Sequence, residues 1–349
     1  MEAGWIDQPG RQVFNLYRPA LILLGDPTKA QPWVDHVRKI YPEDAEHIFD
    51  WLAHRVQKPG VKLNHALVLG GAQGIGKDSL LEPVKHAVGS WNFADISPSQ
   101  LVGRFNEFFK SVILRVSEAR DLGDLDRFAF YEQTKAIIAA PPDTLLCDEK
   151  YIRAYAVPNI CGVLFTTNNR TNGLYLPADD RRHYVAWSAL TKENFAEGYW
   201  RELWSWYEEG GGFGHVAAFL RQRDLSGFDP KAPPPKTAAF WDIVDIGRAP
   251  EDAELADLID MLDQPDVLTI AELVSCAMRC NQNDFGDWLR DRKNRRQVPY
   301  RLEAAGYVPV RSSTAKDGLW KLEGKRQVVY AKQTMSAGDK QRAAAALAG

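Results

Sequence analysis

The sequence has few cysteines and lacks a long apolar run. Four cysteines are spread over 349 residues, which is too few for the dense disulfide framework of a small secreted domain. No stretch approaches the roughly 18 consecutive apolar residues of a membrane-spanning helix, and the N-terminal segment has no signal-peptide character. We therefore expect a protein of the cytoplasm with no membrane partner.

The sequence also lacks an excess of positive charge. Its net charge is -3, which argues against a protein coated in cations for nucleic acid, so any DNA-binding surface must be local. The hydrophobic fraction of 45% and the charged fraction of 26% are ordinary for a globular chain. At roughly 100 to 200 residues per domain, the length allows two domains.

Three short segments are almost entirely apolar, as strands buried on both faces of a parallel sheet are. They are 66–69, 112–116 and 161–166. Helical patterns separate them, so we predict an α/β domain over 61–228. A helical segment, 1–60, precedes this domain.

A proline-rich run, 229–240, interrupts this pattern and predicts a stiff linker. Beyond it, three helical patterns are followed by two short strands: 251–263, 268–280, 285–302, 318–322 and 326–330. This order predicts a winged helix over 241–332 and a flexible tail over 333–349.

The run from Gly71 to Lys77 fits the Gly-x4-Gly-Lys pattern of a phosphate-binding loop. It follows an apolar strand and opens a helix, where backbone N–H groups and the helix dipole favour phosphate oxygens. The Lys77 ammonium would reach the β- and γ-phosphates. We predict that ATP is bound by Gly71, Ala72, Gln73, Gly74, Ile75, Gly76, Lys77, Asp78 and Ser79.

Two residues depart from the usual metal-site pattern. Asp78 stands where Ser or Thr normally follows the lysine, and Ser117 stands where an Asp normally ends the second motif strand. We predict that Asp78, Ser117 and Glu118 together serve Mg²⁺ and its waters, and that Glu118 polarises the attacking water. The alternative is that both departures disable hydrolysis.

Further polar residues follow the later strands. Asn168 comes directly after an apolar strand, where its amide could orient water against the γ-phosphate. Arg181 and Arg182 precede another strand. They are either a solvated charge cluster or an arginine finger that reaches a nucleotide bound by a neighbouring subunit.

These motifs, in this order, resemble superfamily 3 helicases, a branch of AAA+ ATPases found in viruses, phages and plasmids. Segments 51–53 and 56–60 before the loop, and 150–151 and 155–159 after it, look like the helicase part of phage primase-helicases. The likeness covers about residues 12–205. The C-terminal region is similar to the winged-helix tail of such proteins.

The resemblance implies an AAA+ P-loop NTPase with a central, mainly parallel sheet. It further implies a homo-oligomer, a hexameric ring that hydrolyses ATP and pulls single-stranded DNA through its channel. Lys150 and Tyr151 would contact that strand, and Arg182 matches the finger position better than Arg181. The chain shows no primase acid pair, so a separate primase or polymerase would be required.

A basic run in the C-terminal region has two interpretations. Arg292, Lys293, Arg295 and Arg296 could grip duplex DNA phosphates in a winged-helix setting, or they could form a solvated helix face.

Our first hypothesis for the function is an ATP-dependent DNA helicase of phage or mobile-element replication. The alternative is an ATP-regulated DNA-binding replication or defence factor without unwinding activity, which the unusual residues Asp78 and Ser117 favour. A small-molecule kinase is less well supported, because nothing in the sequence suggests a substrate lid or an acceptor site.

Overall fold

The structure is a computed structural model that describes residues 4–15, 17–117, 127–170, 174–246, 250–291, 294, 297–313, 315–322 and 324–348. Its contacts divide the chain into two compact units, Met1–Gly247 and Arg248–Gly349. The elements of the first unit are β1 Gly4–Gln8, β2 Arg11–Asn15, α1 Gln31–Ile40, α2 Ala45–Gln57, β3 Ala66–Gly70, α3 Lys77–Val88, β4 Phe93–Ile96, α4 Pro98–Leu101, β5 Ile113–Val116, α5 Arg127–Ile138, β6 Thr144–Cys147, β7 Tyr155–Pro158, β8 Gly162–Thr167, β9 His183–Trp187, α6 Tyr199–Glu208, α7 Gly212–Gln222 and α8 Ala238–Ile246.

Five parallel strands form the central sheet of the first unit, in the order β4-β5-β8-β3-β9. Every residue of β3 and β8 is buried, as expected of strands covered on both faces. Successive side chains of β3 alternate between two cores: Leu67 and Leu69 lie in one, and Ala66 and Val68 in the other. The predicted α/β architecture with a parallel sheet is therefore confirmed.

Helices cover the first core, and these include α1 and α2, which lie in the helical segment predicted over 1–60. Trp33 from α1, Trp51 from α2 and Leu80 from α3 are fully buried there. The separate helical segment that we expected over 1–60 therefore shares a core with the sheet. The start of this range is a hairpin of β1 with β2 that was not predicted; it turns at Pro9-Gly10.

The predicted domain boundary differs from the division of contacts. Residues 229–240 run into α8, which lies in the first unit. Phe240 of α8 is fully buried and belongs to the same core as Val185 of β9. The chain therefore does not leave the first unit at this proline-rich run.

A pair of histidines, buried His65 and partly buried His47, connects α2 to the residue before β3. The Nε2 atoms of His47 and His65 lie 3.0 Å apart, and the His47 ring stacks on Tyr184 with 3.7 Å between ring centroids. Burial lowers the pKa of His47 to about 4, and burial together with neighbouring cationic groups lowers the pKa of His65 to about 3. Both rings are therefore neutral in the folded protein near pH 7.

We expect this pair to destabilise the fold in mild acid. An unfolded histidine takes up a proton near pH 6.5 whereas the folded pair does not, so the free energy of unfolding falls as the pH drops below about 6.5. At pH 5 each histidine should cost about 2 kcal/mol. Urea unfolding at pH 7 and pH 5 measures this loss. His65→Asn should reduce it, the control His86→Gln on exposed His86 should not, and equal losses in all three proteins would contradict the prediction.

The second unit combines helices with short antiparallel strands. Its elements are α9 Pro250–Met261, β10 Val267–Thr269, α10 Ile270–Arg279, α11 Asn283–Arg290, α12 Val298–Ala304, β11 Tyr307–Val310, β12 Trp320–Leu322, β13 Lys325–Gln327, β14 Val329–Lys332 and α13 Ala337–Ala348. Strand β14 lies between β10 and β11, and β12 pairs with β13. The winged helix over 241–332 stays a prediction.

Three details of this unit differ from expectation. The helix predicted over 285–302 is two helices, α11 and α12, because Pro299 lacks an N–H and occupies the first turn of the second. The strand predicted over 326–330 is split between β13 and β14. The predicted flexible tail forms α13, and its Ala344 is fully buried. None of the helices in the described ranges combines the length and the apolar composition of a membrane-spanning helix.

Candidate functional site

The glycine-rich loop connects β3 to α3 and needs its glycines. Gly71, Gly74 and Gly76 have φ values of +139°, +83° and +91°, which L side chains rarely adopt. At Gly76 a Cβ would also lie 2.6 Å from ring atoms of His36 and Trp200. The backbone is therefore closely packed where it turns into the helix, with the loop N–H groups at the N-terminus of α3.

Lys77 joins the loop to the end of β8. Its Nζ donates hydrogen bonds to the carbonyl oxygens of Gly71 at 2.7 Å and Ala72 at 2.9 Å, and to Oδ1 of Asn168 at 2.7 Å. The residue is 8% exposed, and burial lowers its pKa to about 8. The structure therefore brings together Lys77 and Asn168, two residues that we predicted from the sequence to take part in catalysis.

A cleft of about 370 Å³ opens beside this ammonium group. It contains six of the nine residues predicted to bind ATP, whereas Gly71, Ala72 and Ile75 do not line it. Two aromatic rings from α6, Trp200 and Trp204, border it and were not selected from the sequence. The lining residues are Gln73, Gly74, Gly76, Lys77, Asp78, Ser79, Arg115, Thr166, Asn168, Trp200 and Trp204.

Arg115, which was not predicted as a site residue, faces this cleft from β5. Its guanidinium forms an ion pair with Asp78, lies 3.2 Å from Oδ2 of Asp95, and donates to the Thr166 hydroxyl at 3.3 Å. The side chain is 15% exposed. A single arginine in the otherwise apolar strand Ile113–Val116 was the available signal.

Asp78 and Ser117, two of the three residues predicted to serve magnesium, have protein partners in the structure, and the magnesium set stays a prediction. The Asp78 carboxylate is paired with Arg115, and the Ser117 hydroxyl donates to the Ile96 carbonyl at 3.3 Å. Glu118, predicted to contact the metal and to activate water, lies outside the described residues. Across the part of the chain that the structure does cover, no group of three or more His, Cys, Asp or Glu side chains is suited to a metal ion.

The predicted finger arginines lie at the other end of the sheet. The Arg182 carbonyl accepts a hydrogen bond from Ala66, so Arg181 and Arg182 are at the amino ends of β3 and β9. The phosphate-binding loop follows the carboxyl end of β3, about 13 Å away along the strand. The structure therefore does not bring these arginines to Lys77 of the same chain.

Asp180 fixes the turn that carries them. This residue is 3% exposed and accepts hydrogen bonds from the Tyr131 hydroxyl at 2.7 Å and from the backbone N–H groups of Arg182 at 2.9 Å and His183 at 3.0 Å. Burial raises the pKa of Asp180, but hydrogen bonds from His183, Arg182 and Tyr131 outweigh it and hold the pKa well below its usual range.

Lys150 and Tyr151, the residues predicted to touch single-stranded DNA, lie between β6 and β7, which pair as an antiparallel hairpin. At its tip Tyr151 is 92% exposed, with φ at +68°. The Lys150 ammonium lies 5.0 Å from the centroid of that ring. Ile152 and, within β6, Leu146 are also exposed, so the hairpin presents apolar and cationic groups to solvent.

The second predicted DNA contact cannot be placed. Arg292, Lys293, Arg295 and Arg296 lie outside the described residues. Arg301, five residues after this basic run, is largely buried and forms ion pairs with Asp252 and Glu251. Arg301 thus has a structural partner within its own unit.

Comparison with known proteins identifies the fold. The chain aligns with an apo structure of the NrS-1 C terminal region (305-718), with a TM-score of 0.61 and 16% identity over 95% of this chain and 83% of that one. A second form of the NrS-1 C terminal region gives 0.60 and 15% over the same shares.

The chain is thus similar in fold to the NrS-1 C terminal region. Residues 69–182 match a protein-family model described as a family of unknown function, DUF5906. No curated protein matches the chain. The match to the family model covers the glycine-rich loop, β5, β8 and the arginine pair, and therefore includes most of the residues brought to the cleft.

Proposed function

We propose that the chain is an ATP-dependent DNA helicase of phage or mobile-element replication that works as a ring. The observation that carries this proposal is Lys77, held in a cleft between a glycine-rich loop and the end of β8. A buried ammonium group whose partners are two carbonyl oxygens and an amide can exchange them for phosphate oxygens.

The arrangement supports hydrolysis in the following way. Loop N–H groups and the α3 dipole bind the phosphates, and Lys77 neutralises charge on the β- and γ-phosphates. Asn168, 2.7 Å from Lys77, orients the attacking water, and Glu118 polarises it. Magnesium would be carried by the triphosphate's own oxygens, because the described residues offer it chiefly Asp78, which Arg115 occupies.

The position of the arginine pair supports assembly. Since Arg181 and Arg182 lie at the amino ends of the strands, we propose that they act on a nucleotide bound by a neighbouring copy, with Arg182 as the finger. In a hexameric ring each subunit would then complete the next one's site.

The exposed hairpin supports contact with single-stranded DNA. Lys150 suits a phosphate and Tyr151 suits a base. We further propose that the second unit is a winged helix whose basic run, Arg292 to Arg296, binds duplex DNA, and that a separate primase or polymerase starts synthesis.

The test is strand displacement on forked DNA carrying either overhang, measured alongside ATP turnover. Tyr151→Ala should lower the displacement rate by about tenfold or more, because one stacked base contributes about 1–3 kcal/mol. ATP turnover without DNA should stay within about twofold. Trp5→Ala, at another exposed aromatic on a hairpin, is the matched control and should displace strands normally.

Two results would contradict parts of this proposal. An unchanged displacement rate for the Tyr151 variant would show that the hairpin does not contact the DNA strand during unwinding. ATP consumption without displacement on either overhang would refute the helicase function. That second result would favour an ATP-regulated DNA-binding factor, the function to which the Arg115–Asp78 pair in the cleft also points.

A further inference from the structure

Three separate elements fix the position of Arg115. Asp95 is its register partner on the neighbouring strand β4, Thr166 comes from β8, and Asp78 comes from the first turn of α3. The guanidinium contacts all three. Because side chains alternate along β5 and Ile113 packs in the core that α3 covers, Arg115 points to the face that carries the phosphate-binding loop.

The two carboxylates that hold Arg115 differ in how strongly solvent competes for them. The Asp78 side chain is 80% exposed and that of Asp95 is 47% exposed, whereas Arg115 is 15% exposed. An ion pair with a well-solvated carboxylate contributes little free energy. The Asp78 contact is therefore readily exchanged, while Thr166 and Asp95 keep the arginine in place.

A guanidinium held in this manner is suited to a phosphate group. Its planar fork of donors matches phosphate oxygens, and its charge is permanent at neutral pH. It borders the same cleft as Lys77, so a polyphosphate lying along the loop meets two cations of the protein itself.

We propose that Arg115 is a phosphate-binding residue, and that Asp78 is an internal stand-in that occupies its guanidinium until a triphosphate displaces it. This inference rests on the proposed nucleotide site. The fixed cation takes over part of the charge neutralisation that a metal ion gives in other phosphate-binding loops. Triphosphate binding by this chain is therefore tolerant of magnesium removal, and Asp78 opposes binding.

The experiment is calorimetric titration of the full chain with ATPγS, once with magnesium and once with EDTA. Wild-type affinity in EDTA should stay within about tenfold of that in magnesium. Arg115→Gln should lose about 10- to 100-fold in EDTA, the range for one charge-assisted hydrogen-bonded contact, and less in magnesium. Asp78→Asn should bind ATPγS several-fold more tightly than wild type in EDTA.

Arg104→Gln is the matched control. Arg104 is 80% exposed and pairs with Asp148, away from the residues that line the cleft, so its affinities should equal those of wild type. Arg115→Lys retains the charge but not the fork, and should fall between wild type and Arg115→Gln. If Arg115→Gln does not fold, the Arg115→Lys and Asp78→Asn titrations still decide the matter.

The outcomes separate this inference from the function on which it rests. Wild-type binding that disappears in EDTA, or equal affinities for wild type and Arg115→Gln, would overturn the role of Arg115 and leave a metal-dependent nucleotide site. Weaker binding by Asp78→Asn in magnesium would overturn the stand-in role and make Asp78 a metal ligand. Failure of wild type to bind ATPγS under both conditions would overturn the nucleotide site itself.

Discussion

Replacing Lys77 with alanine should lower ATP turnover by about 100- to 1,000-fold, the usual effect of removing one preorganised charge from a transition state. The ammonium group is the cation closest to the loop carbonyls, at 2.7 and 2.9 Å, and it can follow the phosphate oxygens as charge develops on them. Steady-state phosphate release with saturating ATP measures the loss.

Lys85→Ala is the control for this variant, because Lys85 lies on the same helix, α3, and outside the cleft. It should hydrolyse ATP at the wild-type rate. The Lys77 variant should fold normally, since removing a buried cation leaves only carbonyl and amide oxygens beside solvent. Turnover within about threefold of wild type would remove Lys77 from the reaction.

Replacing Asp180 with alanine should lower the free energy of unfolding by about 3–5 kcal/mol. The change leaves the Tyr131 hydroxyl and the N–H groups of Arg182 and His183 without their acceptor in a site that is 3% exposed. Equilibrium urea unfolding of the full chain measures this loss.

Asp179→Ala tests the same chemical change at an exposed neighbour and should alter stability by less than about 0.5 kcal/mol. Asp180→Asn retains an oxygen acceptor and should fall between the two. A loss below about 1 kcal/mol for Asp180→Ala would show that the turn before β9 does not depend on this carboxylate. The arginine pair would then need another explanation for its position.

The parts of this fold that could be predicted are those in which neighbours along the chain determine the outcome. The segments 66–69 and 161–166 are apolar at successive positions, so a strand formed by either must be buried on both faces. They form the fully buried strands β3 and β8. The phosphate-binding loop was predictable for the same reason, because its glycines and Lys77 are consecutive and adjoin a strand and a helix.

The parts that could not be predicted depend on contacts between distant positions. From the sequence, Arg115 is only a charged residue in an apolar strand. Its partners Asp95 and Thr166 lie 20 and 51 positions away along the chain, so their contact with it appears only in the folded structure. The composition of the proline-rich run at 229–240 predicts a linker between domains. In the structure, Phe240 at its end packs in a core shared with the central sheet. The parallel pairing of β3 with β9 likewise places Arg182, which precedes β9, at the opposite end of the sheet from the loop and Lys77, which follow β3.

The close packing at Gly76 has one more consequence. The indole of Trp200 packs against the point where the loop becomes a helix, so we expect its ultraviolet emission to respond to the shape of the loop. Occupancy of the cleft should therefore change the share of the protein's fluorescence that Trp200, one of 11 tryptophans, contributes.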